Sequence, residues 1–256
     1  MSIPGRCHID AQGWLQGPVK IQHLWTPNRG TGFGTARGVV IHTEAGYEAG
    51  TVATFMNPAA QVSAFFSIAQ DGSGHQYIPV GRGFVAWSQE GGNQTWRGIE
   101  DEDRTHPSIP MTPAQIDTFA QILEALSAYD GFPLQVTDNT GGQGLITHGD
   151  GGVGWGDHPD CPGAVRKAQR PGIVALAKEI RKGTPVKPTT VTADGTKSLQ
   201  QLADAAHAVP SWLLRLTAQA DGVYPPELAG YVNDVFSGKV APTSPVPKGC
   251  VLHVPA

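Results

Sequence analysis

No stretch of the chain approaches the roughly 20 consecutive apolar residues of a membrane-spanning helix, and the opening "MSIPGRCHIDAQGW" lacks the apolar core of a secretory signal. An excess of charge is missing too. The 18 Lys and Arg against 22 Asp and Glu leave −4, too weak a balance for general attraction to nucleic acid or an anionic membrane surface. Cysteine is scarce: Cys7, Cys161 and Cys250 are odd in number and far apart, which argues against a disulfide framework. Cys7 and Cys250 read as small buried hydrophobes, whereas Cys161 sits between Asp160 and a Pro162-Gly163 turn. Multi-copy repeats are also lacking. The expectation is a monomer without nucleic-acid partner or membrane span. If it acts outside the cell that makes it, something other than a leader must deliver it.

What is present is a chain of 256 residues, 39% hydrophobic, with 33 glycines and 21 prolines. That length supports one large domain, or a medium one with a small one, and the composition implies many loops without low complexity. Residues 1–35, rich in Gly and Pro with Trp14, Trp25 and Phe33 among them, read as an irregular arm packing on the main domain. "RGVVIHT" reads as a buried strand ending at His42. "GTVATFMNP" carries Val52, Phe55 and Met56 at helical spacing and stops at Pro58. "VSAFFSIAQDGSGHQYIPV" predicts a hairpin turning at Asp71-Gly72, and "TWRGIEDED" a strand through Ile99.

"MTPAQIDTFAQILEALSAY" is the clearest helix. Thr112 is the expected N-cap, Pro113 the first helical residue and Gln115 the partner in a capping box. Ile116, Phe119, Leu123 and Leu126 make one apolar stripe. "GLITH" predicts a strand ending at His148, and "PGIVALAKEIRKG" a helix with Pro171 near its start and Gly183 as its stop. Strands and helices alternate, so the expected class is α/β, a mixed central sheet flanked by helices.

His42 and His148 therefore end strands, where α/β folds place ligands. "THGDGGVGWGDHPDCPG" is glycine-rich enough to bring Cys161 back toward them. Two imidazoles and a thiolate suit zinc, and three protein ligands leave a fourth position for water. Asp157 and Asp160 are alternative third ligands, and a strand-ending histidine is more often a hydrogen-bonded structural residue.

"VVIHT", "NPAAQVSAFFSIAQDGSGHQYIPV", "AWSQEGGNQTWRGIE" and "THGD…DCPG" occur in one order. In that order the segment 36–182 resembles the zinc-dependent N-acetylmuramoyl-L-alanine amidases, the type-2 amidase and peptidoglycan-recognition superfamily that includes phage endolysins. The resemblance implies zinc held by His42, His148 and Cys161, with Glu100 as the general base. The implied reaction hydrolyses the amide between the lactyl group of N-acetylmuramic acid and the L-alanine of the stem peptide. Relatives often carry Lys, His or Thr two residues before the third ligand, to stabilise the oxyanion. Here that position is Pro159, and His158 one residue earlier is the candidate. Phe65 and Ser88 also depart from a histidine common in relatives. Trp87 and Asn93 are candidates to line the glycan-peptide cleft.

"RKGTPVKPTTVTADG" reads as a linker over 183–193. Residues 194–256 contain "DGTKSLQQLADAAHAVPSWLLRLTAQ", two short helices, and end on "VPKGCVLHVP", an alternating strand. Strand-helix-helix-strand resembles a LysM domain, a peptidoglycan and chitin binder, apart from the insertion "ADGVYPPELAGYVNDVFSGKVAPTSP". The combined expectation is a bacterial peptidoglycan hydrolase acting on the cell wall after release, as a phage endolysin or virion-associated lysin. Its rivals are a non-catalytic peptidoglycan-recognition protein and a muramidase-type glycosidase using Glu44 and Glu100, which would leave the histidines unexplained.

Overall fold

The computed structural model of the protein describes residues 6–106 and 108–183, with the backbone of 189–192 and 251–254. In chain order the first unit contains β1 (His8–Ile9), β2 (Leu15–Gln16), β3 (Ile21–His23), β4 (Gly30–Thr31), β5 (Gly38–Thr43), α1 (Glu48–Met56) and β6 (Phe66–Ile68). It continues with β7 (Gly74–Gln76), β8 (Phe84–Val85), β9 (Trp96–Asp101), α2 (Pro113–Asp130), β10 (Gly144–Thr147) and α3 (Ala164–Lys182). The central sheet has the order β10-β5-β9-β6-β7-β3. It is mixed: β6 and β7 form the antiparallel hairpin, and the other neighbours run parallel. This is the expected α/β architecture.

β5 is a continuous apolar run because both of its faces are covered; Val39, Val40 and Ile41 are fully buried. At its start the backbone of Gly38 meets that of Gly144 on β10. A Cβ on Gly38, where φ is +154°, would stand 1.9 Å from the Gly144 carbonyl oxygen, so only glycine fits. On α2 the stripe Ile116, Phe119, Leu123 and Leu126 is buried as expected. Glu124 of the same helix is also fully buried, and is held by Arg6 and by Arg181 of α3.

The structure differs from the sequence reading in four places. The arm is not irregular: β1 pairs with β2, β4 with β8, and β3 becomes an edge strand of the central sheet beside β7. Strands of two or three residues are too short to show alternation among glycines and prolines. The arm's aromatic rings pack on one another and on Phe84 of β8, with Trp14–His23, Trp14–Trp25 and Trp25–Phe84 ring centroids 4.8, 6.0 and 5.3 Å apart.

In α1 the buried residues are Thr51 and Phe55 rather than Val52 and Met56. α3 starts at Ala164, so Pro171 lies inside it. The Lys167 carbonyl, deprived of the amide that residue 171 would have offered, accepts Arg170 Nε at 3.1 Å instead. The helix does end at Gly183, left-handed at φ 71°.

The fourth difference lies in the stretch read as a linker. Thr189–Thr192 is a strand, β11, paired antiparallel with β12 (Val251–Val254). Its β-branched residues favour extended backbone, which the flanking prolines obscured. These two strands belong to the second unit. The two helices expected of the LysM-like region lie outside the described residues.

Candidate metal centre

β10, β5 and β9 run parallel, so their C-terminal ends share one edge of the sheet. His42 is the Cα partner of Glu100 across β5 and β9, and paired residues of a parallel ladder point to the same face. His148 comes directly after β10. Its backbone enters a tight turn, His148–Trp155, fixed by Asp150 of the "THGD" motif. The Asp150 carboxylate accepts the Thr147 amide at 3.0 Å and is paired with Lys167 and with Arg170 of α3. Trp155 then packs with Val40, Trp96 and Ile146 in a buried cluster. The glycines make this possible: a Cβ on Gly151 would stand 2.2 Å from the Trp155 ring, and one on Gly149 2.6 Å from the Pro159 carbonyl. The loop returns, and the Gly149 amide donates to the Cys161 carbonyl at 2.9 Å.

These contacts bring one ligand atom each from His42, His148 and Cys161 within 4.8 Å of one another, the one such group among the described residues. Cys161 Sγ lies 4.0 Å from His42 Nδ1, and the two imidazoles are 4.5 Å apart between centroids. A zinc bound at about 2.0–2.1 Å to nitrogen and about 2.3 Å to sulfur needs only a small inward closure of these side chains.

The hydrogen bonds choose which nitrogens remain free. Gln89 Nε2 donates to the Trp96 carbonyl at 2.9 Å. A carbonyl can only accept, so the other end of the amide, Oε1, faces His42 and takes its Nε2–H at 3.3 Å. The Trp155 carbonyl likewise takes the Nε2–H of His148 at 2.8 Å. Both imidazoles thus keep Nδ1 as an unprotonated lone pair, as a metal ligand requires. Burial holds the His42 pKa well below its ordinary value, reinforced by His148. Burial also lowers that of His148. Neutral rings suit ligation. The Cys161 thiol is pushed up to about 12, by burial first and then by Glu100. A divalent cation supplies the positive charge that would offset both causes. The donor set therefore fits zinc.

Glu100 Oε1 lies 3.8 Å from His42 Nδ1. Burial, then Asp101, Asp103 and Glu48, raise its pKa to about 8. His158 is exposed, with its ring 4.6 Å from that of His148. Trp87 is 36% exposed. Asn93 is half-buried, and its Oδ1 accepts the amides of Ser88 and Gln89 at 3.0 and 2.8 Å. Asp157 and Asp160 are exposed and outside the ligand group.

Sequence reasoning missed Gln89 and Trp155, whose roles are set by partners far along the chain. It also assigned nothing to His75. The residues Ser67 and His75 continue the row of His42 and Glu100 across the sheet, and Glu48 bonds both, at 2.5 and 2.6 Å. Beside it the carboxyl of Glu44, the rival glycosidase residue, is raised above its ordinary pKa by burial and by Glu48.

The profile of the N-acetylmuramoyl-L-alanine amidase family, Amidase_2, matches residues 32–164. N-acetylmuramoyl-L-alanine amidase A of Achromobacter lyticus is 30% identical over 113 residues, which are 42% of this chain and 63% of that protein. The chain thus spans less than two thirds of that relative. The Staphylococcus aureus hydrolase AmiA, solved with its ligand, shares the fold at 16% identity and a TM-score of 0.51, over 64% of this chain and 85% of that one. A mutant endolysin from Bacillus subtilis aligns at 16% identity and a TM-score of 0.45, over 64% of this chain and 99% of that one. With the family profile covering more than half of its length, the chain belongs to the N-acetylmuramoyl-L-alanine amidase family.

Proposed function

We propose that the protein is a zinc-dependent peptidoglycan amidase that cleaves between N-acetylmuramic acid and the L-alanine of the stem peptide. The observation that carries this reading is the convergence of His42, His148 and Cys161 with both imidazoles locked as Nδ1 donors. His42, His148 and Cys161 would hold the ion. When bound, zinc polarises the scissile carbonyl and makes its water acidic near neutral pH.

The remaining roles fall to side chains of the chain itself. Glu100, close to the His42 ligand atom, takes the proton of the attacking water and returns it to the departing amine of L-alanine. A carboxyl shifted toward neutrality suits both halves of that transfer. His158, on the rim beside His148, donates to the oxygen that gains charge. Trp87, exposed beside the Gln89 segment, offers a ring face to the glycan. A purely binding protein has no use for a partly buried carboxylate directed at a ligand atom, which counts against the non-catalytic alternative.

The wider proposal keeps the endolysin or virion-associated role, with the segment from residue 194 as a LysM-like anchor that raises the local concentration of substrate. Among the described residues no helix is long and apolar enough to cross a membrane. Mass spectrometry of digested peptidoglycan tests the reaction. Glycan bearing free lactyl carboxylates, together with intact stem peptides, is the expected product; new reducing ends alone would refute it.

A further inference from the structure

Gln89 is 1% exposed, and a buried amide persists only where its polar atoms are matched. Its amide nitrogen is matched at the Trp96 carbonyl, and its oxygen by His42 Nε2 and the Ser88 hydroxyl. The surroundings are built to place it there. Asn93 Oδ1 holds the backbone amides of Ser88 and Gln89. Gly98 on β9 leaves room for both side chains: a Cβ there would stand 2.5 Å from Ser88 Oγ and 3.0 Å from Gln89 Oε1. A Cβ on Gly92 would stand 2.7 Å from Gln89 Cγ. Two glycines, an asparagine and a serine thus converge on the placement of one acceptor oxygen.

We propose that Gln89 is a positioning residue that sets the affinity of the centre for zinc by fixing the tautomer and ring angle of His42. This inference rests on the metal reading above. A neutral imidazole has one N–H and one lone pair. With Nε2–H committed to Gln89, Nδ1 is the lone pair and faces Cys161. Without that acceptor, the proton is free to occupy Nδ1 and block ligation. Partners of this kind typically contribute roughly 10- to 100-fold in metal affinity.

The test compares the full chain with Gln89→Leu and Gln89→Glu. Zinc affinity is read by competition with a chromophoric chelator, and the His42 tautomer by ring ¹⁵N shifts in zinc-free protein. The expected result is a loss of roughly 10- to 100-fold in Gln89→Leu, with a mixed tautomer. In Gln89→Glu, whose buried carboxyl in its protonated form donates to the Trp96 carbonyl with one oxygen and accepts from His42 with the other, affinity returns to within a few-fold of the parent. Parent protein that binds zinc tightly while Gln89→Leu binds it equally well overturns this inference alone. Parent protein that takes up no zinc overturns the metal reading with it. Should Gln89→Leu fail to fold, the unaltered zinc-free protein decides, because a His42 carrying its proton on Nδ1 contradicts the proposal.

Discussion

Trp155 joins the packing of the sheet to the placement of a ligand, so Trp155→Ala separates the two. The ring is 5% exposed and meets Trp96 edge-on at 5.9 Å between centroids. Its slot is cut by glycines: Cβ atoms on Gly151 and Gly92 would fall 2.2 and 2.6 Å from ring atoms. A slot walled by backbone cannot collapse when the ring is removed, so the cost should sit in the upper part of the ~3–5 kcal/mol range for such truncations. The lost aromatic pair accounts for about 0.5–1.5 kcal/mol of it. Against a total stability on the order of 5–15 kcal/mol, the variant remains folded but weakened. Urea unfolding of zinc-free protein should show the midpoint falling by roughly 1–2 M. Trp155→Phe should lose less than half as much. Zinc affinity should fall as well, since the Trp155 carbonyl holds His148 Nε2. A loss below about 1 kcal/mol in zinc-free protein would refute the claim that this cluster anchors the loop.

Glu100→Gln should retain zinc but release stem peptides at least ~10²-fold more slowly, and an unchanged rate would remove Glu100 as the base. His158→Ala should lower kcat by roughly 10²-fold without loss of metal; a normal kcat leaves the oxyanion to another donor. Deletion of residues 185–256 should reduce the fraction of protein that sediments with purified cell walls, and undiminished pelleting would deny that region an anchoring role.

The strands that carry the ligands were legible because each is local. "VVIHT" and "GLITH" are short apolar runs closed by a histidine, and the structure places both side by side with those histidines at one edge. α2 was legible from its stripe and its Thr-Pro opening. The arm was not, because β3 is completed by β7, more than fifty residues away, and three residues carry no period. Pro171 misled because its position inside α3 depends on Arg170 taking over the Lys167 carbonyl. Gln89 was invisible for the same reason. Its meaning comes from His42 and Trp96, and "SQE" alone reads as a polar turn.

The departures from the family pattern acquire physical reasons once these partners are known. Phe65 stands where relatives often carry a histidine, yet it is fully buried, edge-on to Phe33 at 5.7 Å. Arg97, paired with Asp130, lies over both rings at 4.8 and 4.2 Å. The replacement thus belongs with the arm that supplies Phe33, and Phe65 packs the arm onto the sheet. Ser88 replaces another histidine and donates to Gln89, so this change reinforces the hold on His42. Pro159 offers no side-chain donor. In the turn around it, the Cys161 amide donates to the His158 carbonyl at 3.1 Å, which ties the backbone of His158 to that of Cys161. The His158 ring stands at the rim, 4.6 Å from that of His148, where the proposed role as oxyanion donor would place it. All three departures leave His42, His148 and Cys161 in place and alter only the surroundings of that cluster.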